Sequence, residues 1–180
     1  IKFNKKEKKF IFYNQAINNN YLSKKLDSLN QQTKSQILEI SDARAIYFNN
    51  LCTFIRKHSG VIIIIDYGYS KPVNYSTLQS IRLHRTTNIL DNPGNQDITS
   101  LVNFQNLNDI AKKNKLYTYG PFSQKEFLES NGIKERKNKI LLNASENQRR
   151  IIREGYDRLV NNDQMGNIFK CLVVSSYKLS

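Results

Sequence analysis

Apolar positions along the chain change period at several points, and each change predicts an element. Tyr47, Phe48, Leu51, Phe54 and Ile55 recur at three- and four-residue spacing behind Ser41 and Asp42. This predicts a helix with Ser41 as its N-cap and Asp42 at the positive end of its dipole. Gly60 ends it, and residues 61–65 follow as an unbroken β-branched run closed by Asp66-Tyr67-Gly68. Such a run is expected as a strand buried on both faces of a parallel sheet, so helix and strand together predict the second half of an α/β crossover unit.

Further along, Pro72 opens a loop-rich region that holds the turn Asn92-Pro93-Gly94 and the extended segment Asp97-Ile98-Thr99. Asn103 can cap a helix with Phe104, Leu107, Ile110 and Ala111 on its apolar face, and residues 116–119 predict a short strand before Gly120-Pro121. Ser123 with Glu126, and Ser145 with Gln148, have capping-box spacing. The first predicts a short helix ending at Asn131-Gly132. The second predicts a helix with a buried stripe of Ile151, Ile152, Gly155, Tyr156, Leu159 and Val160. Residues 168–175 predict a closing strand. Residues 1–36 are polar and Asn-rich, with a strand expected near 9–13 and a weakly patterned helix or loop around 21–29. The reading is a single domain of α/β class, with 1–36 as a poorly patterned lead-in and 37–180 as its body.

Length and composition fit that reading, since 180 residues with 39% hydrophobic side chains can build one core. No run approaches the ~20 apolar residues of a membrane span, no signal-type stretch is seen, and a non-secreted protein is expected. Cys52 and Cys171 stand far apart in apolar surroundings, which suggests neither a disulfide framework nor a cysteine-rich metal site. The 28 Lys and Arg against 15 Asp and Glu give a net charge of +13. Nucleic acid is an obvious partner for such a charge, but Lys, Asn and Ile are abundant throughout, as AT-rich coding would produce. No zinc-finger spacing or aromatic RNA-binding motif accompanies the charge, so no specific nucleic-acid partner is expected.

Asp66 draws attention because ligands of open α/β sheets bind at the carboxyl ends of strands. A carboxylate there can orient a cationic substrate, or it can simply hold a turn. His84 lies between Arg82 and Arg85, where neighbouring cations favour the neutral imidazole; the plain alternative is a surface histidine in a basic loop. Asp97 and Thr99 share one side of an extended segment and either approach the strand ends or cap a turn. His58 sits near a helix end, where it suits the dipole. Neither serine nor cysteine has a paired-base signature, and two histidines make no metal site by spacing. The 7 glycines include no pair close enough for a phosphate- or adenosine-cradling loop.

Several stretches taken in order resemble one family. They are Glu39-Ile40-Ser41, then Ile63-Ile64-Ile65-Asp66-Tyr67-Gly68-Tyr69, then Thr77-Leu78-Gln79-Ser80-Ile81-Arg82 followed by His84. Asn92-Pro93-Gly94 leads to Asp97-Ile98-Thr99, Gly120-Pro121-Phe122-Ser123-Gln124 to Phe127-Leu128 and Gly132-Ile133, and Asp163-Gln164-Met165-Gly166 to Phe169-Lys170. From about residue 37 to 176 the chain is similar to the carboxyl-terminal half of MidA-type class I S-adenosylmethionine-dependent methyltransferases. That family includes the mitochondrial complex I assembly factor that methylates arginine.

The resemblance implies a Rossmann-like class I methyltransferase fold, carboxyl-terminal part only, with added helices and with 61–65 as a central strand. It implies S-adenosylmethionine as cofactor and a protein side chain, arginine first, as methyl acceptor. Asp66, Asp97 and His84 are then the candidate catalytic residues, with Tyr67, Gly68, Thr99 and Arg82 as substrate contacts and no metal. The location implied is cytoplasmic for a bacterial protein and the mitochondrial matrix for a eukaryotic one. The family's Gly-rich cofactor loop, its strand-end acidic residue and its Asn-Glu-Phe-Phe-Asp-type motif lie upstream of the matching stretch, and Leu101 and Asn103 stand where the family often has His and Asp. Cofactor binding by this chain alone is therefore not expected, and an amino-terminal half acting in trans is the implied partner. The alternatives are a non-catalytic partner-binding remnant and a nonspecific basic nucleic-acid-binding protein.

Overall fold

The computed structural model describes residues 1–16, 20, 23–24 and 37–179. The helix or loop expected around 21–29 falls almost wholly outside the described residues. The chain forms two compact units: Ser41–Lys71 with Val102–Ser180, here the sheet unit, and Ile1–Ile40 with Pro72–Leu101, here the hairpin unit.

In the sheet unit, Ser41 caps helix α1 (Asp42–His58) by accepting from the Arg44 backbone N–H at 3.4 Å. The helix ends at His58, two residues before the expected glycine, and its C-cap Ser59 takes a positive φ of 59°. Strand β3 (Val61–Tyr69) runs four residues past the apolar run. It pairs with the closing strand β9 (Phe169–Ser175) along Val61↔Ser175 to Tyr67↔Phe169, and this pairing is antiparallel. Its only parallel partner among the described residues is the two-residue β7 (Val102–Asn103), which meets Gly68 and Tyr69. Strand β8 (Tyr117–Ser123) lines the other side of β9 and carries a bulge between Tyr119 and Phe122, so the order is β7-β3-β9-β8. The doubly buried parallel strand expected at 61–65 is thus corrected: β3 is buried on one face only, and its long partner is antiparallel.

Helix α2 (Phe104–Lys113) is capped by Asn103, whose side chain accepts from the Asn106 N–H at 3.1 Å. One core joins Phe48, Cys52 and Ile55 of α1, Phe104, Leu107 and Ala111 of α2, and Leu172 and Val174 of β9. Ile62 and Ile64 pack against it from β3. Tyr47 and Phe54, expected on the buried face of α1, are exposed. Both capping boxes form, at the starts of α3 (Gln124–Ser130) and α5 (Glu146–Val160). The buried Gln124 side chain donates to the Leu159 carbonyl at 2.9 Å and ties α3 to the end of α5. Of the stripe expected on α5, Val160 is buried and Ile152 and Tyr156 are half-buried, while Ile151, Gly155 and Leu159 face outward. Helix α4 (Ile133–Leu142), which buries no residue, and the short α6 (Met165–Ile168) complete the unit.

The hairpin unit contains the two-stranded β1 (Lys2–Asn4) and β2 (Lys9–Ile11), and an antiparallel sheet in the order β5-β4-β6. These last strands are β4 (Gln79–Arg82), β5 (Arg85–Thr87) and β6 (Asp97–Thr99). The region expected as loop is therefore a small sheet. Its pattern was hidden because the strands have three or four residues, too few for a period to register.

Candidate functional site

In the sheet unit the expected site residues lie on the carboxyl half of β3. Asp66 sits within the strand, three residues before its end, where the expected strand stopped just ahead of it. It is exposed, and one carboxylate oxygen accepts from the Tyr67 backbone N–H at 2.8 Å. Its cross-strand neighbour is Lys170, whose ammonium instead donates to the carbonyl and side-chain oxygens of Asn167 at 2.6 and 3.1 Å. Successive residues of a strand point to opposite faces. Tyr67 accordingly turns away from the Asp66 side and packs its ring against Phe169, centroids 3.9 Å apart and planes tilted by 40°.

Gly68 is buried, and a β-carbon built there would stand 2.5 Å from two Phe104 ring carbons and from the Val102 carbonyl oxygen. Its bare backbone is needed to let α2 and β7 approach the strand. This gives the glycine a packing role at the position where close ligand approach was expected.

The other expected residues are in the hairpin unit. Arg82 ends β4 and is directly opposite Arg85 on β5, an exposed like-charge pair. Leu83 and His84 form the two-residue turn between them with φ of 49° and 61°, as the twist of a tight hairpin requires. His84 is thus exposed at a hairpin tip beside a Leu83 that is 84% exposed. Asp97 pairs with Ile81 and Thr99 with Gln79, so the two side chains share one face of an edge strand, as their spacing predicts.

Two polar networks in this unit escaped the sequence. Glu39 accepts from the Thr77 backbone N–H at 2.6 Å, the Thr77 hydroxyl at 2.5 Å and the Ser76 hydroxyl at 3.1 Å. Partial burial by itself pushes this carboxyl up, but the donors from Thr77 and Ser76 outweigh it and hold Glu39 below its ordinary range. The Thr77 hydroxyl oxygen in turn accepts from the Leu101 N–H at 2.9 Å. The second network runs from buried Ser80 through Thr87 to Gln96, whose amide donates to the carbonyls of Asn88 and Ile89. The signal was faint because the partners stand 7 to 38 positions apart, and although Glu39, Thr77 and Ser80 lie in stretches that carry the resemblance, nothing in their spacing pairs them.

Neither cysteine is a nucleophile. Burial pushes both thiols, Cys52 and Cys171, up to about 11, and a thiol that holds its proton is inert. Among the described residues no cluster could hold a metal ion and no helix is long and apolar enough to cross a membrane. A shallow groove of about 600 Å³ runs beside α5, lined by Ile151, Glu154, Gly155, Asp157, Arg158, Asn161 and Gln164, none of them an expected site residue. As for a nucleotide-type cofactor, Gly68 is the glycine at the end of β3, and Phe104 already fills its open side.

Comparison with known proteins gives this partial site its context. A family model described as "Putative S-adenosyl-L-methionine-dependent methyltransferase" matches residues 1–122. Protein arginine methyltransferase NDUFAF7, mitochondrial, of Xenopus tropicalis is 34% identical over 136 residues, covering 74% of this chain and 31% of that protein. The Homo sapiens protein of the same name is 30% identical over 134 residues, covering 73% and 30%. The chain spans less than a third of the length of these curated relatives. Among solved structures, a superfamily member from Burkholderia thailandensis superposes with a TM-score of 0.79 at 20% identity, covering 97% of this chain and 48% of that one. Another from the same organism, crystallised bound to S-adenosyl-homocysteine, gives 0.79 at 19% identity, covering 97% and 46%. At such identities the likeness establishes the fold, and the family rests on the sequence matches: this chain belongs to the S-adenosyl-L-methionine-dependent methyltransferase family whose model it matches over residues 1–122.

Proposed function

We propose that this chain forms the acceptor-facing part of a methyltransferase that modifies protein arginine, the cofactor being held by residues outside the chain. Family membership carries this reading. The name shared by the curated relatives supports arginine as the acceptor, and the resemblance makes a complex I subunit the first acceptor to try. Bound S-adenosylmethionine supplies an electrophilic methyl group. The work left to this chain is to align a guanidinium nitrogen with it, and a carboxylate does this by accepting two parallel N–H donors.

Asp66 is the residue proposed for that task, because it is an exposed carboxylate on the carboxyl half of β3. Tyr67, packed against Phe169, offers an aromatic wall. In the hairpin unit, Asp97 is the second proposed carboxylate, and Thr99, Arg82 and His84 are proposed contacts for the acceptor protein.

The test co-expresses this chain with the amino-terminal portion of the Xenopus tropicalis relative and follows labelled methyl groups into protein. Asp66→Asn is expected to lower incorporation by about tenfold or more, the loss of a charge-assisted bidentate contact, while leaving thermal unfolding unchanged. Wild-type incorporation by Asp66→Asn removes Asp66 from the site. No incorporation by the wild-type pair leaves the second reading, a partner-binding module without catalysis.

A further inference from the structure

From the register of β3 and β9 we infer that Lys170 is a positioning residue for Asp66, a counter-ion that Asn167 holds off the carboxylate so that an incoming guanidinium finds it open. The inference rests on the reading above that Asp66 orients the acceptor, and it names what keeps that carboxylate available.

Asp66 and Lys170 are direct antiparallel partners. Side chains at such positions leave the sheet on the same face, with β-carbons about 4.5–5.5 Å apart. It is the face that Ile64 and its partner Leu172 turn toward the core, and the charged pair lies one step beyond them toward the carboxyl end of β3. Opposite charges so placed are within reach of each other, since a lysine stem is long and flexible. Here they do not join. The ammonium donates to the carbonyl oxygen of Asn167 at 2.6 Å and to its side-chain oxygen at 3.1 Å, while the Asp66 carboxylate accepts from the Tyr67 backbone N–H.

A second carboxylate stands on the other side of Lys170. Strand β8 sets Ser123 opposite Lys170, and Ser123 shares its capping box with Glu126. One Glu126 oxygen accepts from the Ser123 N–H at 2.7 Å and from its hydroxyl at 2.9 Å. These two donors do most to hold the Glu126 carboxyl below its ordinary range, and the nearby charge of Lys170 adds to them. Lys170 thus stands between two carboxylates, yet its hydrogen bonds go to Asn167.

The balance is close. An exposed lysine–carboxylate pair is worth little in water, so two oxygens of Asn167 suffice to win the ammonium, and loss of one of them suffices to release it. An ammonium on Asp66 would take acceptor sites that an arginine fork needs, because the fork uses both carboxylate oxygens at once. The Tyr67 N–H already fills one such site. Asn167 therefore sets how much of Asp66 is left for the acceptor, and Lys170 is the competitor that the acceptor meets.

The test reads the carboxylate first without any ligand. NMR of this chain follows the side-chain carboxyl carbon of Asp66 and the amide proton of Tyr67, which bonds that carboxylate. Asn167→Ala should move both signals as the freed ammonium reaches Asp66. Adding Lys170→Met, which keeps the stem and removes the charge, should return them to their wild-type positions. N-acetylarginine amide is then titrated as the probe. Asn167→Ala should weaken its binding about threefold, the scale of one exposed ion pair, and the double variant should bind it as the wild type does. The spread of the remaining amide signals checks that each variant is folded. Signals unmoved by Asn167→Ala overturn the inference, since the ammonium then does not compete for Asp66. Equal shifts with and without Lys170→Met overturn it too, because they report a change of shape at α6 and not the arrival of a charge. If the ligand-free signals behave as expected but the wild type does not bind the probe, the counter-ion is supported and Asp66 is removed as the guanidinium site.

Discussion

At single residues, geometry decides what chemistry the sequence could only nominate. Gly68 illustrates it: Gly68→Ala puts a methyl group into the Phe104 ring and the Val102 carbonyl. Overpacking of this kind costs about 1–3 kcal/mol, so the denaturant midpoint should fall. Phe104→Leu in that background should recover part of the loss, since the two sites share one contact and their effects are not additive. Full additivity would show that the ring is not what the glycine makes room for. Glu39 is the opposite case, a residue to which the sequence assigned no role and which gathers three donors. Glu39→Gln should cost about 1–2 kcal/mol at neutral pH, the scale of hydrogen bonds to a charged acceptor. Because the carboxyl is held below its ordinary value of 4.5, its contribution is fully present above that pH and is lost as pH falls through the folded value. The gap between wild type and Glu39→Gln in thermal unfolding should therefore narrow in acid. A gap that stays constant down to about pH 3 would detach the effect from the charge of Glu39.

At the scale of elements, what could be read in advance was what is encoded locally. Ser41, Asn103, Ser123 and Ser145 all cap as their spacing predicts, because a cap and its partner lie three residues apart. Ser145→Ala should lower stability by about 1 kcal/mol. Ser123→Ala should do the same and also release Glu126, whose carboxyl is held below its ordinary range by the Ser123 N–H and hydroxyl. If either substitution leaves the unfolding midpoint unmoved, that box is ornamental to the fold. Helix α4 was not legible because it buries nothing and so carries no apolar period. The direction of β3 was not legible either, since its partner β9 lies about a hundred residues downstream and an Ile run does not specify what pairs with it. The same distance effect governs the candidate site. Asp66 and Tyr67 could be placed near a strand end from their own neighbours, whereas Arg82, His84, Asp97 and Thr99 had no visible sheet to belong to. They proved to lie on strands and a turn of a separate unit.

For the whole molecule, the open question is whether a charge of +13 makes a nucleic-acid surface. A site for phosphates needs cations of one sign gathered on one face, so that counterions are released together. On α5 the cations are interleaved with carboxylates: Arg150 bonds Glu154 at 3.2 Å, Arg149 meets Glu146 at 3.7 Å, and Asp157 and Arg158 share the adjoining groove. On α4, Lys134, Arg136 and Lys137 surround Glu135, and Lys137 caps the ring of Tyr156 at 3.7 Å from its centroid. At the amino end, Lys9 is paired with Glu7 at 2.7 Å. The hairpin tip, with Arg82, His84 and Arg85, gathers like charge without a carboxylate between, but it spans only four residues. Such a surface should hold DNA or RNA weakly, with no preference among sequences. Its affinity should fall steeply with salt, the logarithm of the binding constant declining in proportion to the few phosphates neutralised. Fluorescence anisotropy of a mixed set of labelled oligonucleotides across about 50–200 mM salt measures this directly. Submicromolar binding that distinguishes one sequence from another at the upper end of that range would mean that the charge is organised for recognition, and Arg82→Ala with Arg85→Ala would then be the first change to abolish it.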